Sequence, residues 1–240
     1  MKNNAFKAIV AFILIIASVG FKTERSFTTN VSNSDSVRAS STIIYNDFKS
    51  IYQKIGLKSI GLSEDAFRYA WLAYKQGTFK KSIVAIADFS QSSCKKRLYI
   101  IDLKEETLLY NTYVAHGRNS GLEYARTFSN QSSSYQSSLG FYRTLDTYQG
   151  KHGLSLKLEG LEYGINHKAA DRAIVMHGAD YVSENFIHQT GRLGRSQGCP
   201  AVSMQDAPKL IKLLANGAGV FLYYPDPQYI KASSFIVKNV

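Results

Sequence analysis

The chain has 240 residues, of which 45% are hydrophobic and 20% charged, and its formal net charge is +11. Length and composition are those of a globular protein with one sizeable domain and an appendage, and only four prolines argue against long rigid linkers. The basic excess favours an anionic partner, such as anionic lipid or an acidic wall polymer, and fits a solvated surface without a dedicated partner equally well. No nucleic-acid motif accompanies the charge, so no nucleic-acid partner is predicted.

Residues 1–20 have the pattern of an export signal. Lys2 and Lys7 give a cationic start, residues 8–19 are an uncharged apolar run, and residues 17–20 offer small side chains to a signal peptidase. The run is shorter than the roughly 20 residues that span a membrane. We therefore predict export to the periplasm or cell envelope, with membrane contact only through an uncleaved signal as the alternative.

A tether and a helical segment are predicted next. Residues 21–41 are rich in Ser, Thr and Asn, which is typical of a flexible tether. Residues 42–80 predict two helices. The first has an apolar stripe over residues 43–55, and the second begins at the N-cap Ser63 and stops near Gly77.

Strand patterns dominate residues 81–240, which we expect to form the main domain. Strands are predicted at 83–89, 97–103, 107–116, 139–144, 154–158, 173–176 and 219–224. A capping box at residues 203–206 predicts a helix through residue 214. The polar segment 129–138 fits a plain loop and a loop that lines a site equally well.

Cys199 is the candidate nucleophile, in a glycine-rich loop. A thiol needs a nearby base at neutral pH, usually imidazole, and His177 is predicted to end the strand 173–176. The alternative is a buried structural cysteine. The flanking residues 195–197 argue against it, because Arg, Ser and Gln make the surroundings polar and cationic.

Cys94 is the second cysteine of the chain. An exported protein with two cysteines can form one disulfide. A disulfide to Cys94 would leave Cys199 without the free thiol that a nucleophile needs. We interpret Cys94 as a spare surface thiol in a loop between strands, and the disulfide to Cys199 stays open as the alternative.

No metal or cofactor is predicted. None of the spacings typical of zinc sites, such as Cys-x-x-Cys, His-x-His or His-Glu-x-x-His, occurs in the sequence. His152, His167 and His188 are interpreted as surface or loop residues. His116 follows a predicted strand much as His177 does, so it is a candidate to line the cleft.

These motifs resemble the L,D-transpeptidase (YkuD-type) catalytic domain family, and within it the murein L,D-transpeptidase subgroup. That family has a His-Gly or His-Ser pair, a variable stretch, and then Ser/Thr-His-Gly-Cys followed by an apolar residue and Arg or Asn. Residues 177–178 and 195–200 follow this order. Residues 97–116 resemble the family's opening β unit and residues 137–142 its Thr-Pro-x-Gly-x-Tyr/Phe strand, so the likeness covers roughly residues 82–224.

Two departures from the family pattern bear on the mechanism. Gln197 stands where most members have His, and Pro and Ala at residues 200–201 replace the usual apolar and Arg/Asn pair. Gln197 cannot act as a base, so His177 is the only imidazole in that role unless His116 contributes. Arg195 is the nearest replacement for the usual contact to a substrate carboxylate.

The resemblance implies a mainly β fold with flanking helices, an L,D-transpeptidase-like β-sandwich catalytic domain preceded by the short helical segment. It implies acyl transfer on peptidoglycan stem peptides to form 3→3 cross-links, with Cys199 as nucleophile and His177 as base. The Gly178 carbonyl would hold the imidazole ring, and the N–H groups of Gly198 and Cys199 would form the oxyanion hole. With water as acceptor, the same enzyme would be an L,D-carboxypeptidase.

The predicted substrate-binding residues extend beyond this catalytic set. They are Arg195, Ser196, Gln197, Gly198, His116 and Tyr142. Two other functions remain in competition, namely an inactive cell-wall binding protein with the same fold and a general cysteine peptidase that cleaves ordinary L-peptides. A covalent carbapenem adduct at Cys199 would separate the enzyme from the binding protein.

Overall fold

The computed structural model describes residues 47–237. The predicted signal at 1–20, the tether at 21–41 and the beginning of the first predicted helix lie outside the described residues. Among the helices of this described part, none combines the length and apolar composition that a membrane span needs.

Both predicted N-terminal helices are present in the described part. Helix α1 occupies residues 47–54, and α2 spans Glu64–Lys75. The Ser63 hydroxyl accepts a hydrogen bond from the Ala66 N–H at 3.4 Å, which makes Ser63 the predicted N-cap. The helix ends just before Gly77, whose φ of 72° is a left-handed conformation that glycine adopts without strain.

Eight strands of the described chain form one hydrogen-bonded sheet in the order β3-β2-β1-β8-β4-β5-β6-β7. The strands are β1 (Ile83–Asp88), β2 (Leu98–Asp102), β3 (Thr107–Thr112), β4 (Gly140–Gly150), β5 (Gly153–Gly160), β6 (Val175–Ala179), β7 (Ala201–Ser203) and β8 (Gly219–Tyr223). Strand β1 pairs with β8, and β6 with β7, in parallel, whereas the other neighbours are antiparallel. The predicted mainly β fold with flanking helices is therefore confirmed.

Helices cover both faces of this sheet. The remaining helices are α3 (Glu184–Thr190), α4 (Ala207–Leu214), α5 (Pro227–Ala232) and α6 (Ser234–Val237). Along β1, Val84 and Ile86 join the core formed with α1 and α2, whereas Ala85 and Ala87 join a second core formed with α4. Successive side chains of a strand point to opposite faces, so β1 is buried almost throughout because both of its faces are covered.

Two predicted boundaries were wrong in ways that matter near the site. Strand β6 runs to Ala179, so His177 lies in the middle of the strand and not at its end. The Ser203 hydroxyl accepts from the Asp206 N–H at 3.0 Å, but α4 begins only at Ala207. Residues 203–206 therefore form a turn before the helix and do not open it.

The β4–β5 hairpin is longer than predicted. Strand β4 continues past Thr144 to Gly150, which pairs with Gly153 across a turn made by Lys151 and His152. This extension carries the turn to the cleft described below.

Candidate active site

One cleft of about 700 Å³ is lined by both Cys199 and His177. Its walls come from the cysteine loop, strand β6 with the residues before it, the tip of the β4–β5 hairpin and the polar loop 129–138. The structure therefore brings the predicted nucleophile and the predicted base together in one cavity.

Strand pairing explains why these two residues meet. In the parallel β6–β7 ladder, His177 pairs with Ala201. Continuing this register back by two residues brings Cys199 beside Val175, on the same face of β6 as His177, because side chains alternate along a strand. The Cys199 sulfur lies 3.8 Å from the carbonyl oxygen of Ala173.

His177 is buried, with 4% of its surface exposed, and its ring is oriented by the backbone. Nδ1 lies 2.9 Å from the Gly178 carbonyl oxygen. A carbonyl only accepts, so Nδ1 carries the proton and Nε2 of the neutral ring keeps its lone pair. Burial lowers the pKa of His177 and the nearby His152 lowers it further, whereas the bond to Gly178 acts in the opposite direction. The ring is therefore neutral at pH 7, with Nε2 available as a base.

His152 is a cleft residue that the sequence reasoning missed. It is exposed on the hairpin turn, as a surface histidine would be, yet its ring stacks on that of His177. The ring centroids are 4.6 Å apart and the planes are inclined by 24°. No local motif marks this contact, because it depends on the length of the β4–β5 hairpin.

Cys199 is half-buried, and both cysteines are free thiols, which answers the question of the disulfide that the sequence left open. The sulfur of Cys94 lies 3.2 Å from the Gly191 carbonyl oxygen. Burial raises the pKa of the Cys199 thiol, and the Val175 N–H and the Arg172 guanidinium partly oppose this. A raised thiol pKa beside a lowered imidazole pKa favours the neutral pair, so the sulfur depends on a base for activation.

Ser196 organises the cysteine loop. Its hydroxyl donates to the Cys199 carbonyl oxygen at 2.6 Å and accepts from the Gly198 N–H at 3.0 Å. The Gly198 N–H is therefore occupied, which corrects its predicted place in the oxyanion hole. The Cys199 N–H has no acceptor within residues 47–237 and remains the candidate donor.

Replacing Ser196 with Ala is expected to destabilise the protein by about 1–3 kcal/mol, because a buried N–H and a carbonyl would lose their partner. Urea unfolding followed by circular dichroism measures this change in the free energy of unfolding. Ser132→Ala is the matched control, since Ser132 is an exposed residue of the same cleft. Equal stability of the two variants would contradict the assignment.

His116 does not line the cleft, contrary to the prediction. It is fully buried, and its Nδ1 accepts from Arg97 Nη2 at 2.7 Å while Nε2 lies 3.3 Å from the Gly121 carbonyl oxygen. Burial and the Arg97 charge lower the pKa of His116 to about 3. Its backbone carbonyl accepts from the Ser196 N–H at 3.0 Å, so His116 supports the cysteine loop from behind.

Tyr142 was also predicted to bind substrate, and the structure places it in the core. Its ring is fully buried, and its hydroxyl donates to the Ser138 carbonyl oxygen at 3.0 Å. Tyr142 is a structural residue because burial leaves it no access to a ligand in the cleft.

Arg172 is a second cleft residue that the sequence reasoning missed. Its two terminal nitrogens donate to two carbonyls and two hydroxyls of the loop 129–138, namely those of Ser129, Gln136, Ser134 and Ser138. These bonds tie the polar loop to the wall beside Cys199, and Ser132, Ser133 and Tyr135 of this loop line the cleft. The segment that the sequence left undecided is therefore part of the site.

Arg195 and Gln197 line the cleft as the sequence analysis expected. Arg195 Nη1 donates to the carbonyl oxygens of Arg118 and Gly121, both at 3.0 Å. Its other nitrogens have no bond to residues 47–237, so part of the guanidinium can still bind a ligand.

Comparisons with known proteins give a family and remote structural likenesses. A family model described as "L,D-transpeptidase catalytic domain" matches residues 53–223, whereas no curated protein matches the chain. Among solved structures, an L,D-transpeptidase from Mycobacterium smegmatis is 10% identical over 60% of this chain and 59% of its own, with a TM-score of 0.37. An L,D-transpeptidase from Stackebrandtia nassauensis is 16% identical over 75% of this chain and 77% of its own, with a TM-score of 0.36.

The chain thus spans about three fifths of the length of the Mycobacterium smegmatis structure. The family match is the stronger finding, because it covers well over half of the residues, including β6, the cysteine loop and the hairpin. This protein belongs to the L,D-transpeptidase catalytic domain family.

Proposed function

We propose that this protein is a peptidoglycan L,D-transpeptidase in which Cys199 is the nucleophile and His177 the base. The observation that carries the proposal is that a thiol and an imidazole with an available Nε2 share one cleft. Family membership supports the reaction class, and the basic lining of the cleft suits a stem peptide that carries carboxylates.

In the first half-reaction, Nε2 of His177 takes the thiol proton and the sulfur attacks the carbonyl of the L-centred third residue of a stem tetrapeptide. The Cys199 N–H is the donor available to the resulting oxyanion. His177 then protonates the leaving amine of the terminal D-residue as the C–N bond breaks, and a thioester remains on Cys199.

In the second half-reaction, an amine of another stem peptide attacks the thioester. His177 accepts the amine proton and returns a proton to the sulfur, so the thiol is regenerated and a 3→3 cross-link forms. Water in place of the amine would release a tripeptide, which is the L,D-carboxypeptidase alternative. The raised pKa of Cys199 makes the base necessary in the first step.

Mass analysis of wall fragments tests the proposal. Incubating the protein with disaccharide tetrapeptides should yield dimers with loss of one terminal D-residue, whereas tripeptides alone would indicate the carboxypeptidase. Absence of both products, together with no carbapenem adduct at Cys199, would favour the inactive binding protein. Cleavage of ordinary L-peptides would favour a general cysteine peptidase.

Arg195→Lys is expected to raise KM for the acidic donor by roughly tenfold, because Lys keeps the charge but loses the paired donors that fit a carboxylate. Steady-state kinetics measure KM, and alkylation of Cys199 by a small uncharged thiol reagent should be unchanged. Arg192→Lys is the neighbouring control, since Arg192 lies outside the cleft lining. Wild-type kinetics in Arg195→Ala would mean that the carboxylate is bound elsewhere.

We also propose that the protein is exported, because its proposed substrate lies in the cell envelope. N-terminal sequencing of the mature protein is expected to begin near Phe21, after removal of the apolar run. A soluble cytoplasmic pool that retains Met1 would contradict this expectation.

A further inference from the structure

The charge of the cleft is strongly unbalanced. Four cationic residues line it, and Asp171 is the one carboxylate among the described lining residues. The cations are Arg118, Lys151, Arg172 and Arg195. None of them forms a salt bridge within residues 47–237, where the ion pairs lie elsewhere on the surface.

The four cations differ in how free they are to bind a ligand. The terminal nitrogens of Arg172 hold the loop 129–138, and one nitrogen of Arg195 holds the backbone. By contrast, neither the exposed guanidinium of Arg118 nor the exposed ammonium of Lys151 has a hydrogen-bond acceptor in the described part of the chain. The Arg118 guanidinium lies 4.0 Å from the centre of the Tyr135 ring, which orients it without using its donors.

Two of the cleft cations, Arg195 and Arg118, also lie close together, and neither forms a salt bridge within residues 47–237. Arg195 donates to the Arg118 carbonyl, and burial together with the charges of Arg192 and Arg118 lowers the pKa of Arg195. Such a cluster repels itself in the free protein, and a bound anion relieves the repulsion. The arrangement is therefore suited to a ligand that brings negative charge into the cleft.

Each of the two free cations lies next to a residue that contacts one of the proposed catalytic residues. Ser196 contacts Cys199, and His152 contacts His177. Arg118 follows Gly117, which pairs with Ser196 of the cysteine loop, and the Arg118 N–H donates to the Ser196 carbonyl oxygen at 2.8 Å. Lys151 precedes His152, whose ring stacks on His177. Two separate cationic groups thus lie on different walls of the cavity in which the chemistry would occur.

We propose that Arg118 and Lys151 are specificity-determining residues that select a donor stem peptide with at least two ionised carboxylates over the same peptide with carboxamides. This inference rests on the proposed function for the identity of the donor. A carboxamide has nearly the shape of a carboxylate but no charge, so the comparison isolates the electrostatic contribution.

Binding and turnover test the selection separately. Calorimetry with Cys199→Ala should show roughly tenfold tighter binding of the tetrapeptide with free carboxylates than of its carboxamide form. The wild-type enzyme should show a preference of similar size in kcat/KM. Raising the salt concentration from about 0.05 M to about 0.5 M should reduce both preferences, because exposed charges are screened.

Arg118→Gln and Lys151→Gln, each placed in the Cys199→Ala background for calorimetry, should both reduce the preference by about threefold or more, with little change in binding of the carboxamide peptide. Arg126→Gln is the matched control for arginine, because Arg126 is also exposed and lies 5.7 Å from the Tyr124 ring outside the cleft. Lys209→Gln is the corresponding control for lysine, on the exposed surface of α4.

Equal binding of the two peptides would overturn the inference, and a preference that survives in both cleft variants would overturn its assignment to these residues. The calorimetric result does not require turnover. Absence of turnover with both peptides would therefore contradict the proposed function, whereas turnover without a preference would contradict only the selectivity.

Discussion

Cys199→Ala is expected to abolish turnover of stem tetrapeptides, with a loss of about 10⁴-fold or more, while leaving the fold intact. The substitution removes the sulfur that would carry the acyl group, and no described residue offers another thiol in the cleft. The loop should keep its shape, because Ser196 holds it through the backbone of Cys199 and Gly198. Product analysis and circular dichroism measure the two effects.

Cys94→Ala is the matched control for this experiment. Cys94 is a free thiol outside the cleft, so its removal should leave turnover within about twofold of the wild type. Retained turnover in Cys199→Ala would contradict the proposed mechanism. Loss of turnover in Cys94→Ala would contradict the assignment of Cys199 as the nucleophile.

His177→Ala is expected to lower kcat by roughly 10²–10⁴-fold, the usual contribution of a general base. The expectation follows from its ring, which is held through Nδ1 by the Gly178 carbonyl and lines the same cleft as Cys199. Because burial lowers the pKa of His177, the acid limb of the wild-type kcat/KM profile should lie below the ordinary histidine value of about 6.5. Kinetics across pH measure both quantities.

His116→Ala is the informative comparison, because the structure gives the two histidines different roles. Removing His116 leaves the buried Arg97 without one acceptor, so we expect a loss of stability of about 1–3 kcal/mol. The kcat of the folded fraction should change by less than about tenfold. If His116→Ala abolishes turnover and His177→Ala does not, the assignment of His177 as the general base is wrong.

Short stretches of adjacent residues were enough to predict the two candidate catalytic residues, helix α2 and the mainly β fold. Cys199 among glycines and polar residues, and His177 followed by glycine, were recognisable because each lies in a short motif. Helix α2 was predictable because its cap, Ser63, and its ending, near Gly77, are encoded by neighbouring residues. The positions of most strands along the chain, on which the prediction of a mainly β fold rested, followed from hydrophobic patterns of a few residues.

The elements that were missed lack such local signals. Strand β7 is only three residues long, and the short helices α3, α5 and α6 carry little periodicity. The extension of β4 is also invisible in the pattern, because its outer half is largely exposed and its pairing with β5 defines it. Their existence depends on neighbours that are brought close by the rest of the fold.

The composition of the site beyond its two motifs was decided only by the tertiary structure. His152 reaches His177 through a hairpin, and Arg172 reaches a loop more than thirty residues away through four hydrogen bonds. His116 is buried and hydrogen-bonded to Arg97, although its sequence context matches that of His177. Strand register and burial depend on the whole chain, whereas a motif depends on a few adjacent residues. The sequence by itself therefore determined the proposed nucleophile and base, because each lies in a short motif. The fold determined which other side chains orient these two groups and give the cleft its charge.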